Sequence, residues 1–166
     1  MRSPHRIVFG MALLAFALSP CSFAFQTASP PSEVFDQLKK ESDPVRRAKT
    51  LTKLAGPQLD SMTRLADGGD FIHSGELLEQ YRDEVKLTFD GLKESGIDAE
   101  RKPSGFKELQ IHLRRSLQQI DDVIRIVPEG PRVPFQSARA EIAQINRSLI
   151  EMLFPLHAGK KKGKLE

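Results

Sequence analysis

Apolar residues along this chain recur every three or four positions and almost never every second one. Taken at about 100° per residue, Leu78, Tyr81, Val85, Phe89 and Leu92 fall within roughly 80° of one another around a helix. Phe106, Leu109, Leu113, Leu117, Ile120, Ile124 and Val127 make a second stripe, and Ala138, Ile142, Ile145, Leu149 and Met152 a third. Val45, Ala48, Leu51, Ala55, Leu59 and Met62 make a broader fourth. Strand formers never alternate over a useful length, so the pattern predicts helices and no sheet.

Start and stop signals bracket these stripes. Ser32 is positioned to cap a short first helix carrying Val34, Phe35 and Leu38. Asp43-Pro44 opens a second, with a carboxylate for the orphan N–H groups and proline at the first helical position. It runs to about residue 66 and ends at Gly68-Gly69, with Pro57 expected to kink it by removing one ladder hydrogen bond. A third helix starts near Asp70 and ends at Ser95-Gly96, and a polar loop covers 97–103. Ser104 opens a fourth that stops before Pro128; a fifth spans about 134–154 and is stopped by Pro155. Pro128, Pro131 and Pro134 recur every third residue, a polyproline II spacing that is read as a stiff connector rather than a docking ligand.

Four helices of about 20–25 residues, each roughly 30–37 Å long, are matched for side-by-side packing. The expected fold is all-α, an antiparallel four-helix bundle over 32–156 with a short additional N-terminal helix. Leu113, Leu117 and Ile120 should be buried at mid-helix, and Leu87 should face outward. Leu54, Leu65, Leu87, Ile111, Ile126, Ile150 and Phe154 fall off the stripes. As a group they are candidates for an interaction surface; singly they need only cover from loops or the first helix.

The first two dozen residues follow a different pattern. Arg2, His5 and Arg6 precede a 13-residue apolar run over 7–19, Pro20 breaks it, and Ser22-Phe23-Ala24 has the small–x–small form of a signal-peptidase site. The run is shorter than the roughly 18–20 residues that span a bilayer, so it reads as an export signal cleaved between Ala24 and Phe25. Residues 25–31 then form a flexible leader. The localisation expected is periplasmic or extracellular. Leu18-Ser19-Pro20-Cys21 faintly resembles a lipobox, which would anchor the chain through Cys21, but Pro20 stands where a small residue is required.

Export changes the charge and cysteine picture. Removing 24 residues leaves 142, one domain of ordinary size, and lowers the net charge from +3 to +1. Much of the remaining basic excess lies in a disordered tail over 157–166, with Lys160, Lys161, Lys162 and Lys164. Nothing in the body looks like a nucleic-acid footprint. Cys21, the only cysteine, leaves with the signal, so no disulfide or thiolate metal site is expected.

Candidate chemistry is sparse. His73 with Glu76, and Glu108 with His112, stand at helical spacing that suits a transition metal. The inward Glu-x-x-His pairs of di-iron bundles and His-Glu-x-x-His are both missing, and His112 lies off its helix's stripe, so surface pairs are the preferred reading. Ser104-Gly-Phe-Lys107 matches Ser-x-x-Lys without the accompanying motifs of that chemistry. Asp67-Gly-Gly-Asp70 lacks the spaced ligands of a calcium loop and reads as a turn. Asn146-Arg147-Ser148, a formal glycosylation sequon, falls inside a helix. Met62 and Met152 read as core, and no cofactor is expected. Arg46, Arg47, Lys49 and Lys53, Arg114-Arg115 and the lysine tail are basic groups that would meet an anionic envelope polymer or lipid. The expectation is an exported, non-enzymatic bundle that binds a protein or an anionic envelope component. A small-ligand or metal-binding bundle is the alternative.

Overall fold

The computed structural model describes residues 31–155. The signal over 1–24 with its Ala24/Phe25 junction, Cys21, the leader up to residue 30 and the tail over 157–166 lie outside the described residues. Within them the chain is all-helical: α1 Pro31–Lys40, α2 Pro44–Asp67, α3 Phe71–Glu94, α4 Phe106–Ile126 and α5 Arg132–Leu153. No described residue is in a strand.

The helix ends show why these segments form. Asp43 Oδ1 accepts from the backbone N–H of Val45 at 2.8 Å and of Arg46 at 3.0 Å, with Pro44 opening α2 as expected. Glu41 O accepts from Arg47 Nε and Nη2 at 3.1 and 2.7 Å, which fastens the α1–α2 corner. At the far end Gly69 N–H bonds Ala66 O at 3.0 Å and Asp70 N–H bonds Leu65 O at 2.9 Å, a Schellman closure that needs the positive φ of Gly69, 81°. Asp70 then caps α3 by accepting from His73 N–H at 3.2 Å.

Several boundaries differ from the sequence reading. α1 begins at Pro31, one residue before the expected cap Ser32. By contrast, α2 runs unbroken across Pro57 to Asp67, close to the end near residue 66 read from the sequence. α4 is capped by Gly105 and not by Ser104. Gly105 sits at φ 87°, and Glu108 Oε2 accepts its N–H at 2.6 Å. α5 starts at Arg132, so Pro134 lies in the first turn of a helix, where it is tolerated, and the connector shrinks to 127–131. Arg132 secures that connector by donating to Val127 O at 3.0 and 2.6 Å.

α2 packs on α3 and α4, α5 packs on α4 and α3, and α1 lies across α2 and α3 with Val34 and Leu38 buried. Tyr81, Phe106 and Phe135 supply the largest fully buried side chains. The Phe135 ring packs against Gly75 of α3, where a Cβ would stand 3.4 Å from Phe135 Cε2, at the edge of ordinary contact. Burying a Leu or Phe side chain contributes about 1.5–3 kcal/mol, so the stripes supply the main favourable contribution. They are not buried uniformly: Leu113 and Ile120 are fully buried, whereas Leu117, Val45, Phe89, Ile124, Ile145 and Met152 are only partly covered. Leu87, expected to face outward, is also half-buried against the core. No described helix is long and apolar enough to cross a membrane.

Candidate functional site

Where α3 and α5 lie side by side, their C-terminal halves leave a groove of about 580 Å³. Its floor is formed by Phe89, Ile145 and Met152, the stripe residues that packing leaves partly uncovered. α3 lines one wall with Lys86, Asp90 and Lys93. α5 lines the other with Glu141, Gln144, Ser148 and Glu151. One wall thus has an excess of cations and the other carries only anionic charge. Glu141 is loosely engaged, 3.8 Å from Arg82 Nη1.

A second feature lies inside the bundle. Tyr81 is fully buried and donates its hydroxyl to Ser116 Oγ at 2.8 Å. Ser116 Oγ donates in turn to His112 O at 3.0 Å, and His112 Nε2 lies 3.4 Å from Ser116 Oγ. The His112 ring meets Tyr81 edge-on, with centroids 5.9 Å apart. Burial drives its pKa down to about 4, and the Arg115 cation adds to the effect. Burial also raises the Tyr81 phenol well above its ordinary value, opposed by the Ser116 bond and reinforced by the charge of Glu84.

Glu84, one turn along α3 from Tyr81, is fully buried. Neither of its carboxylate oxygens has a hydrogen-bond partner. Burial pushes the group up to about 7; the nearby Gln58 amide opposes this, and Asp83 adds to it. Gln58 Nε2 reaches Leu77 O at a long 3.4 Å while its own oxygen is unpartnered. Gln58 therefore eases the carboxylate through its amide dipole without a well-formed bond.

The two candidate His/Glu pairs, read from the sequence as surface pairs, do not come together. His73 is exposed in the first turn of α3, with Nδ1 2.7 Å from Asp70 Oδ2, and that bond leads the causes that raise its pKa; nearby Glu76 adds its charge. Glu108 is taken up with the Gly105 N–H on α4. His112 is half-buried, less exposed than its off-stripe position suggests, with the Tyr81 ring of α3 packed edge-on against it. Among the described residues no three His, Cys, Asp or Glu side chains gather as a metal would require.

The off-stripe apolar residues divide into groups. Leu54 and Leu87 pack against the core, and Leu65 is half-buried on α2. Ile111 and Phe154 line a smaller hollow of about 280 Å³ with Ala99, Pro103 and Leu153. Phe154 is 72 % exposed, Ile126 48 % and Ile150 39 %. Ile126 closes α4, whereas Ile111 lies in its second turn, so these residues stand at opposite ends of that helix. Ile72 and Val133, more exposed than most of these at 74 % and 67 %, were missed because each lies beside a helix start, where a stripe has too few members to define its edge.

Sequence reasoning also missed the groove and Glu84. The groove pairs residues almost sixty positions apart. Glu84 sits next to stripe residue Val85, and a charged residue beside a stripe is ordinarily solvated. No family model matches the chain, and no curated protein or solved structure is significantly similar to it.

Proposed function

We propose that this chain is an exported, non-enzymatic binding module whose α3–α5 groove receives an amphipathic helix of a protein partner. The observation that carries the reading is the groove itself. It has an apolar floor of Phe89, Ile145 and Met152 between a wall with two lysines and a wall with two glutamates. A concave slot of this kind suits a helix with an apolar seam, acids on the flank toward Lys86 and Lys93, and bases on the flank toward Glu141 and Glu151. Export rests on the residues 1–24 pattern. The non-enzymatic reading is supported by Ser116, the serine beside a histidine, which is 2 % exposed and bonded back into its own helix.

The module is read as an antiparallel four-helix bundle, α2 to α5, with α1 as the extra helix. Met62 with Ser74 across α2 and α3, and Asp121 with Arg139 across α4 and α5, support antiparallel neighbours. Val45 beside Gly105 at the start of α4 and Thr63 with Gln119 further along advance together on α2 and α4, as do Gly75 with Phe135 and Arg82 with Glu141 on α3 and α5, which supports parallel contacts there. The up-down-up-down order accommodates both.

The test is site-directed photo-crosslinking in native envelopes, with a crosslinking residue at Gln144 in the groove or at the exposed Arg147. The expected result is a partner adduct at Gln144 whose crosslinked segment is helical, and none at Arg147. Phe89→Ala should weaken capture by about 10- to 100-fold, the cost of truncating an aromatic at the centre of an interface. Equal adducts at both positions, or capture indifferent to Phe89→Ala and Lys93→Glu, would refute the groove as the binding site.

A further inference from the structure

The bundle holds two ionisable side chains that are poorly placed to carry charge, one fully buried and one half-buried. Glu84 of α3 is fully buried with both oxygens unpartnered. His112 of α4 is wedged against the Tyr81 ring, with Ser116 Oγ beside Nε2 at 3.4 Å. Removing water from either disfavours its charged form, so the acid keeps a proton and the base sheds one. Tyr81 adjoins each of them, one turn from Glu84 along α3 and in edge contact with His112.

Their surroundings do not restore the charges. Around Glu84, α2 offers the Gln58 amide, α3 itself adds the Asp83 anion, and no cation is among the influences on the carboxylate. The α5 acid Glu141 is turned to Arg82, and the ionisable side chains of α1, Glu33, Asp36, Lys39 and Lys40, are exposed. Around His112, α4 contributes the Arg115 cation, and its acid Glu108 is bound to Gly105. From α5, Asn146 accepts from Gln110, while Lys49 and Lys53 of α2 are exposed.

We propose that Glu84 and His112 are a compensating pair, in which the proton one must hold offsets the proton the other must lose, so that fold stability stays level across mildly acidic pH. This inference does not depend on the groove. The signs are opposite. Glu84 goes from an ordinary 4.5 to about 7 in the fold, so its stability contribution is greatest below 4.5 and falls as pH rises toward 7. His112 goes from an ordinary 6.5 to about 4, so its contribution is present above 6.5 and is lost as pH falls toward 4. Between 4.5 and 6.5 both are in transit, each changing the folding equilibrium by up to about tenfold per pH unit in opposite directions. Asp43, Asp70 and Asp121 are held below 3.8 and act under this window. His73, raised by Asp70, acts in the same sense as Glu84 near the top of the window, and its contribution is common to every variant with an intact Asp70.

The experiment is denaturant unfolding of the chain between pH 4.5 and 6.5, on wild type, Glu84→Gln, His112→Phe and the double variant. Wild type should hold its folding constant to within about threefold. Glu84→Gln should gain up to about 100-fold as pH rises, because His112 is unmasked. His112→Phe should lose as much, and the double variant should be level again. Level single variants, slopes of the opposite sense, or a steep double variant would overturn the proposal. Should a single variant fail to fold, carboxyl and imidazole NMR titrations of wild type decide: midpoints near the ordinary values of either group refute the pair.

Discussion

At Ser104 and Gly105 the residue that looks like a helix cap and the residue that acts as one are neighbours. Serine is the better cap by preference, but the chain must turn at Gly105 with φ 87°, and only glycine adopts that freely. Space reinforces the choice: a Cβ on Gly105 would stand 3.1 Å from Val45 Cα and 3.2 Å from Leu92 Cδ2. Val45 Cα belongs to backbone and has little room to retreat. Gly105→Ala should therefore cost about 2–3 kcal/mol, combining left-handed strain with overpacking. Ser104→Ala, at an exposed position, should stay within about 0.5 kcal/mol. Chemical unfolding of the two variants checks this, and a larger loss at Ser104 would return the capping role to serine. Polar preference is legible in one sequence, whereas the clearance around a glycine depends on two other helices.

For whole helices, most of the architecture was legible. Asp43-Pro44 and Gly68-Gly69 bracket α2 for reasons internal to its own backbone, and the four stripes lie on four observed helices. What the stripes could not convey was depth. Leu113, Leu117 and Ile120 share one face of α4, yet Leu117 is only partly covered while its neighbours are fully buried. Depth depends on which helices lie opposite, here α2 and α5 with Tyr81 reaching in from α3. Leu113→Ala should cost about 2–5 kcal/mol through lost burial and a residual cavity. Leu117→Ala should cost visibly less, and Ile126→Ala, at a residue 48 % exposed, under about 1 kcal/mol. Leu87→Ala should resemble Leu117→Ala, since both are half-buried. Equilibrium unfolding of the four variants gives the order, and equal losses at Leu113 and Ile126 would contradict the packing of α4.

The candidate site belongs to the whole molecule and was therefore the least legible part. Its floor residues were visible as stripe members but were expected to be buried, and its two walls acquire meaning only when α3 and α5 lie together. An exposed apolar floor costs stability in the free protein, because Phe89, Ile145 and Met152 keep surface in water that a closer α3–α5 contact would remove. A groove kept open at such a cost should be improvable as a fold and damaged as a site by the same substitution. Ser148 lines the groove within one or two helical turns of Ile145 and Met152, so a leucine there would extend apolar cover over the floor. Ser148→Leu should raise unfolding stability by about 0.5–1.5 kcal/mol, the value of a few tens of Å² of newly buried apolar surface. It should also abolish the partner adduct at Gln144. Unfolding and crosslinking on the same preparation separate the two effects. A variant that is more stable yet still crosslinks would place the partner elsewhere, and one that is less stable would mean that the floor is already packed.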